Sequence, residues 1–354
     1  MAMINNPLVF PISIPLSFLV AFIVTFIMLP RFISYLRAMG LTGTDIQKAD
    51  RPKIPEMGGP AVLAGFLSGV FFYIWLELFF FKSAIDLTVL FAATISIMII
   101  VLVGMLDDLS RLFKYAVPDA YGNEKRLGIR RWQKVLFTLP AAIPLMAISA
   151  GDASMVLPLL GRIDIGILYP LLLVPIAIMG ASNATNMLAG FNGLEAGLGV
   201  VVLSMMGIYA AFLGNITAEV FAFMMVAALL AFLRYNWYPA KIFPADSLNL
   251  AIGAAIATMA IIGNMERIAI LAFLPWILEA FLKLRSRIEM KKFAECFGVL
   301  QGDNTLAPPA QKIYSVTHIV MRIGRLKEWQ VTLMLVGFEA LLCASLLYFY
   351  LVYV

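Results

Sequence analysis

The stretch LTVLFAATISIMIIVLVGMLDDLSRL, residues 87–112, opens with twenty uncharged residues (87–106) and then sets two aspartates side by side. Twenty residues of α-helix rise about 30 Å, the thickness of a hydrocarbon core. The run therefore predicts a membrane-crossing helix with a carboxylate pair at its end. Similar apolar runs lie at about 8–30, 60–80, 132–150, 165–182, 194–213, 217–233, 248–264, 268–284 and 330–353. Of the 354 residues 62% are hydrophobic and 13% charged, about half the charge of a soluble domain. That balance excludes a cytosolic globular enzyme, a disordered chain and a nucleic-acid binder. The expectation is an all-α polytopic membrane protein of about ten transmembrane helices, one integral membrane domain over 1–354. Pro140, Pro144, Pro170 and Pro175 predict kinks in the fourth and fifth spans. No basic leader precedes the first run, so a cleavable signal is not expected. Cys296 and Cys343 offer no metal-ligand spacing, and a single histidine, His318, rules out a site of several imidazoles.

Ten spans put both termini on one side. The loops on the other side are about 31–59, 107–134, 183–195, 234–247 and 285–329. With Lys283 at the edge of the last, they hold 23 of the 26 Lys and Arg residues. Positive residues favour the cytoplasm, so these loops face inward and both termini outward. On the outer side, segments 156–160 and 162–165 predict a small β-hairpin around Gly161.

The inward loops carry the chemistry. The first reads DIQKADRPKIPEMGG (45–59), where Lys48, Arg51 and Lys53 beside Asp45, Asp50 and Glu56 make either a polyanion-binding segment or solvated loop charge. Asp107 and Asp108 sit at a helix C-terminus, where the dipole disfavours acids. A pair there needs a cation or a basic partner, and Mg²⁺ chemistry on phosphates uses such carboxylates. The basic run Lys125, Arg126, Arg130, Arg131 and Lys134 follows. Segment 181–197, ASNATNMLAGFNGLEAG, has no basic residue although it faces inward. Its asparagines Asn183, Asn186 and Asn192 suit a nucleobase edge or a cation, and a tightly packed turn is the plain alternative. Segment 234–247, RYNWYPAKIFPADS, sets Phe243, able to stack on a base, near Asp246. The longest loop carries Arg285, Arg287, Lys291 and Lys292, which serve topology or hold a pyrophosphate. Acids, amides, an aromatic and basic residues on one face point to a nucleotide-linked donor and a phosphate-bearing lipid.

Four ordered blocks, DIQKADRPKIPE, the Asp-Asp pair, NMLAGFNGLEAG and NWYPAKIFPAD, carry a resemblance over roughly residues 30–290. The chain resembles the polyprenyl-phosphate N-acetylhexosamine-1-phosphate transferases, and within them the eukaryotic and archaeal UDP-GlcNAc:dolichyl-phosphate branch of N-glycosylation. The resemblance implies a ten-helix fold with a cytoplasmic active face. It implies transfer of GlcNAc-1-phosphate from UDP-GlcNAc to a polyprenyl phosphate, releasing UMP, with Mg²⁺ or, in its place, Mn²⁺. On the matching positions, Asn186 and Asp246 would hold the metal. Asp107 and Asp108 would orient or deprotonate the acceptor, and Lys134 would sit beside the transferring phosphates. Asn192 would read uracil and Phe243 stack on it. The segment of Asp45, Ile46 and Lys48 would close over base and ribose, with Glu56 a nearby polar contact. Arg285, Arg287, Lys291 and Lys292 stand in for a basic pyrophosphate-binding segment with no literal match here. The bacterial Asp-Asp-x-x-Asp pattern is broken by Arg111. A lipid path between the fourth, fifth and ninth spans, a homodimer, and an archaeal plasma membrane rather than the endoplasmic reticulum are further implications. Two rivals remain: the same chemistry with another UDP-sugar and undecaprenyl phosphate, and a secondary transporter. A transporter places ionisable groups near the bilayer midplane, where only Glu339 is clearly deep.

Overall fold

The computed structural model describes residues 11–82, 85–110, 116–118, 124–126, 131–157 and 161–353. Helix α1 (Ser13–Ala38) outruns the apolar stretch expected at 8–30, whose first three residues lie outside the described ones. Hydropathy marks only the lipid-facing part of a helix, and this one continues through Pro30 and Arg31. Strands β1 (Thr42–Thr44) and β2 (Lys53–Pro55) then pair antiparallel with Gly43 opposite Ile54. Helix α2 (Gly59–Leu76) runs on as a wider π-turn over Glu77–Phe81, and α3 (Leu87–Ser110) follows. Strands β3 (Ala116–Pro118) and β4 (Glu124–Arg126) form a second hairpin; Arg111 and Arg130 lie outside the described residues.

The expected fourth span is broken into α4 (Arg131–Phe137), a 3₁₀ turn (Leu139–Ala142) and α5 (Ile143–Ala147). Pro140 and Pro144, lacking N–H donors, account for the breaks. The expected outer hairpin is present as β5 (Ser154–Leu157) and β6 (Gly161–Asp164), with Val156 opposite Arg162. Gly161 opens the second strand, and residues 158–160 lie outside the described ones. A π-turn at Tyr169–Leu173 leads into α6 (Val174–Thr185), the irregularity falling at Pro170 and Pro175. Helices α7 (Leu194–Phe212), α8 (Ile216–Asn236) and α9 (Ala245–Ile262) are regular. The expected ninth span is two helices, α10 (Glu266–Ala272) and α11 (Leu274–Met290), divided at Phe273 ahead of Pro275. Strands β7 (Val299–Leu300) and β8 (Leu306–Ala307), helix α12 (Val316–Val320) and the long α13 (Glu328–Tyr353) complete the chain.

Among the described residues, seven helical stretches are long and apolar enough to cross a membrane: Ser13–Ala38, Gly59–Phe81, Leu87–Ser110, α7, α8, α9 and α13. Gln133–Ala147 and Tyr169–Thr185 are shorter apolar helices. The chain is a polytopic helical membrane protein. Its axis is α9, in which every residue from Asp246 to Ile262 is buried. Helices α2, α3, α6, α7 and α8 pack around it. The α9 sequence, ADSLNLAIGAAIATMAII, is built of small residues that let neighbouring backbones approach closely. A Cβ at Gly104 of α3 would lie 2.5 Å from Ser247 Cα, and one at Gly253 would strike the Ala181 carbonyl of α6. Helices α1 and α13 lie outermost and expose Leu19, Ile27, Leu341 and Phe338. Glu339, deep in α13, is fully buried and accepts from Cys343 Sγ at 3.4 Å.

Candidate active site

The first N–H groups of a helix have no intrahelical partner. At the start of α9 those of Asp246 and Ser247 donate to Asp108 Oδ1 and Oδ2, each at 3.0 Å. Asp108 is 2% exposed, and its carboxylate complements the positive end of the α9 dipole. Gly104, one turn earlier on α3, permits the close approach that this bond pair requires. The second member of the acidic pair is thus engaged by backbone.

Asp107 points elsewhere. Lys134, on α4, bonds Asp107 Oδ2 and lies 3.2 Å from Asp246 Oδ2. Asn186 Nδ2 donates to Asp246 Oδ1 at 2.9 Å, and Asn249 Nδ2 to Asn186 Oδ1 at 3.0 Å. Thr185 Oγ1 ties the chain back by donating to the Asn249 carbonyl at 2.7 Å. Asp107, Lys134, Asn183, Asn186 and Asp246 line a cavity of about 130 Å³, walled also by Val103, Leu106, Phe137 and Leu250. The charged side chains lining it are two carboxylates and one ammonium, a set short of positive charge. Its oxygens are hard donors, and Mg²⁺ needs only one or two carboxylates when substrate phosphates complete its shell. A cage of three or more His, Cys, Asp or Glu is absent among the described residues. The donor set therefore fits a cation shared with a phosphate ligand, with Asn186 Oδ1 first leaving Asn249.

A second group of expected residues gathers around Asn192. Asn192 Nδ2 donates to Asp45 Oδ2 at 3.1 Å, and Lys48 Nζ reaches the same oxygen at 2.8 Å. Lys48 also pairs with Glu328, the first residue of α13, and lies 4.5 Å above the Tyr238 ring. Glu328 Oε1 accepts from Asn192 N at 2.9 Å. Gln47 spans three segments: its Nε2 donates to Gly190 O at 3.4 Å and its Oε1 accepts from Gly298 N at 3.1 Å. Ile46 is exposed beside them. On the other side of the β1–β2 hairpin, Phe243 N donates to Pro55 O at 2.8 Å and Glu56 bridges Phe243. Loop one thus links Asn192 to Phe243. Gln47 and Glu328 are not among the expected site residues: Gln47 lies inside the first motif block but is uncharged, and Glu328 lies outside the four blocks, 280 positions from Lys48.

None of the four basic residues expected at a pyrophosphate lines the Asp107 cavity. Arg285 Nε pairs with Glu289 at 2.9 Å on the exposed end of α11. Lys312, Arg285 and the Tyr314 hydroxyl hold the Glu289 carboxyl down at about 2. Arg287 bonds the Lys291 carbonyl and lies over Phe293, and Lys291 and Lys292 are exposed. Beneath them a buried group that the sequence did not reveal fastens the long loop. Glu279 Oε1 pairs with Lys283 at 3.0 Å, and its Oε2 accepts from Ser315 Oγ and Val316 N. Lys283 also donates to Cys296 Sγ, which donates to the Met187 carbonyl just past Asn186.

On the far flank of α6 lies an apolar groove of about 690 Å³, lined among others by Tyr169, Ala177, Ala181, Ile256, Trp276 and Phe281. It runs between the fifth, eighth and ninth expected spans, whereas the fourth had been expected to form a wall. The fourth expected span instead supplies Lys134 and Phe137 to the small cavity.

Comparison with known proteins gives a family model described as Glycosyl transferase family 4, matched by residues 90–264. A Saccharolobus solfataricus protein, provisionally named UDP-N-acetylglucosamine–dolichyl-phosphate N-acetylglucosaminephosphotransferase, is 32% identical over 332 residues, 89% of this chain and 92% of that one. The protein of that name from Dictyostelium discoideum is 28% identical over 290 residues, 71% of this chain and 66% of its own. The phospho-N-acetylmuramoyl-pentapeptide-transferase of Latilactobacillus sakei is 30% identical over 265 residues, covering 72% and 77%.

Proposed function

Because the chain belongs to glycosyl transferase family 4, among the polyprenyl-phosphate N-acetylhexosamine-1-phosphate transferases, we propose that it moves GlcNAc-1-phosphate from UDP-GlcNAc to a membrane polyprenyl phosphate of the dolichyl type. The observation that carries this reading is the convergence of Asp107, Lys134, Asn186 and Asp246 on one small cavity, with an apolar groove on the opposite flank of α6. An oxygen of the lipid phosphate attacks the β-phosphorus of the donor. The bond between that phosphorus and the bridging oxygen breaks, and UMP departs with the electron pair. Such a transfer needs alignment and neutralisation of charge more than covalent help.

Lys134 holds the phosphates together by its charge, and Asp107 fixes Lys134. Asp246 and Asn186 are the residues that would hold Mg²⁺ or Mn²⁺. Bound there, the cation supplies neutralisation of the diphosphate. Asp108 keeps the start of α9, and so Asp246, in place. Asn192, Phe243 and the Asp45–Lys48 turn form the base and ribose end, and the apolar groove takes the polyprenyl tail. The Arg285–Lys292 segment closes over the diphosphate only if Arg285 leaves Glu289. The biological setting that fits is the first step of lipid-linked oligosaccharide assembly for N-glycosylation, in the plasma membrane of an archaeon.

The test uses purified protein in detergent with Mg²⁺, UDP-GlcNAc labelled in the sugar, and a mixture of dolichyl and undecaprenyl phosphates. Lipid-linked label that disappears with EDTA supports the reaction and names the preferred lipid. Label from a different UDP-sugar keeps the chemistry and changes the substrate. No lipid-linked label from any UDP-sugar overturns the proposal.

A further inference from the structure

We propose that Asp45 sets the base specificity of the site by fixing the side-chain amide of Asn192, with Glu328 positioning both; this deepens the reading of the chain as a UDP-sugar transferase and rests on it. An asparagine amide presents an acceptor oxygen beside a donor nitrogen. The pairing edge of uracil offers a ring N–H beside a carbonyl oxygen, and that of cytosine offers a ring acceptor beside an amino group. The two patterns are mirror images. An amide free to turn over about its last bond would accept either base.

Asn192 is not free to turn. Its Nδ2 donates to Asp45 Oδ2 at 3.1 Å, and an ionised carboxylate only accepts. Turned over, the amide would set its own oxygen against that carboxylate, two acceptors face to face in a site where Asn192 is 2% and Asp45 6% exposed. Asp45 cannot swing aside, because Lys48 Nζ holds the same oxygen at 2.8 Å. Lys48 is held in turn by Glu328 and by the face of Tyr238.

The backbone of Asn192 is pinned from the opposite side. Glu328 Oε1 accepts its N–H at 2.9 Å, and Thr332 Oγ1, one turn further along α13, donates to its carbonyl at 3.2 Å. Asn192 Oδ1 has no hydrogen-bond partner among the described residues. What the residue can offer a base is thus an acceptor oxygen in fixed orientation with the second amide N–H beside it. That pattern matches uracil and opposes cytosine. Asp45 and Glu328 are positioning residues that act through Asn192.

The experiment measures inhibition of lipid-linked transfer by UMP and by CMP, using the full-length protein with Mg²⁺. Wild type is expected to favour UMP by at least about tenfold, the factor attached to a lost buried hydrogen bond. Asp45→Asn, whose amide donates as well as accepts, brings the two inhibition constants to within about threefold of each other. Should that variant fail to fold, Asp45→Asn combined with Lys48→Met reads the same ratio without an ammonium left facing a neutral amide. Glu328→Gln weakens UMP and raises KM for the donor several-fold, with kcat and the UMP/CMP ratio kept.

A merely structural role for Asp45 would weaken both nucleotides together, and an unchanged ratio in Asp45→Asn overturns the inference while leaving the transferase reading intact. A wild-type enzyme that transfers but does not distinguish UMP from CMP also overturns it. A wild-type protein that forms no lipid-linked product from any UDP-sugar removes the transferase reading itself, and this inference with it.

Discussion

Asp108→Asn separates a residue that acts on α9 from one that acts on substrate. In the folded protein both carboxylate oxygens of Asp108 receive backbone N–H groups of α9 at 3.0 Å. Hydrogen bonds to a charged group contribute about 1.5–3 kcal/mol each, and leaving a buried donor unmatched costs about 1–3 kcal/mol. Asparagine keeps one acceptor and turns an NH₂ toward the other N–H, so the substitution costs about 2–4 kcal/mol. The melting midpoint in detergent therefore falls by several degrees. Since Asp246 is one of the two donors, its carboxylate shifts as well. If about 2–3 kcal/mol of that cost appears in the transition state, transfer slows about 30- to 160-fold. Asp107→Asn behaves differently: it removes one of two carboxylates sharing Lys134, so stability changes little while transfer is lost. The assay pairs thermal unfolding with single-turnover transfer of labelled GlcNAc-phosphate. An inactive Asp108→Asn variant with the wild-type melting midpoint would refute the reasoning and give Asp108 a direct part in the chemistry.

Three further outcomes follow from the packing and the charges. Lys134→Met leaves Asp107 and Asp246 facing one another without their shared ammonium, so it lowers both transfer and melting midpoint. Adding Asp107→Asn restores the midpoint but not the transfer, measured in the same two assays. Gly253→Ala drives a methyl into the Ala181 carbonyl, which costs about 1–3 kcal/mol and moves Asn186 away from Asp246; unfolding and transfer rates both record it. His318 is fully buried, with its Nδ1 unpartnered among the described residues. Burial, then the nearby Lys283 ammonium, push it from 6.5 down to about 4. The unfolded chain binds that proton first, so stability is intact above about pH 6.5, declines as pH falls toward 4 and then levels off. The loss is about 2 kcal/mol at pH 5. His318→Gln should narrow the difference between melting midpoints at pH 7.5 and pH 5.0.

The helices were legible because each apolar run is long, and their irregular points because proline announces them: Pro140 and Pro144 lie where the fourth run breaks. The division of the ninth at Phe273 was also marked, by Pro275, but it was read as one span because hydropathy does not change across it. Site residues were legible where a motif sets unlike residue types together in an apolar setting. Asp107, Asn186 and Asp246 stand out in this way, Lys134 only as the end of a basic run, and folding joins the four by hydrogen bonds. Function within the acidic pair was not legible. Adjacent positions on a helix point about 100° apart, and only the arrival of α9 beside Gly104 sends Asp108 to backbone and Asp107 to the cavity. Glu328, Gln47 and the Glu279–Lys283 pair were missed for a related reason. Glu328 and Gln47 act through partners distant in the chain, and the Glu279–Lys283 pair, four residues apart on α11, is tied to the long loop by Ser315, Val316 and Cys296; such residues read as ordinary polar positions until those partners are in place.

Cleavage of the donor at the oxygen between its two phosphorus atoms is read from the product nucleotide. Purified protein is given Mg²⁺, polyprenyl phosphate and UDP-GlcNAc carrying its label on the β-phosphorus. Labelled phosphorus is expected in the lipid fraction, with an equal amount of UMP in the aqueous one. Release of labelled UDP, with unlabelled sugar in the lipid, would contradict that cleavage.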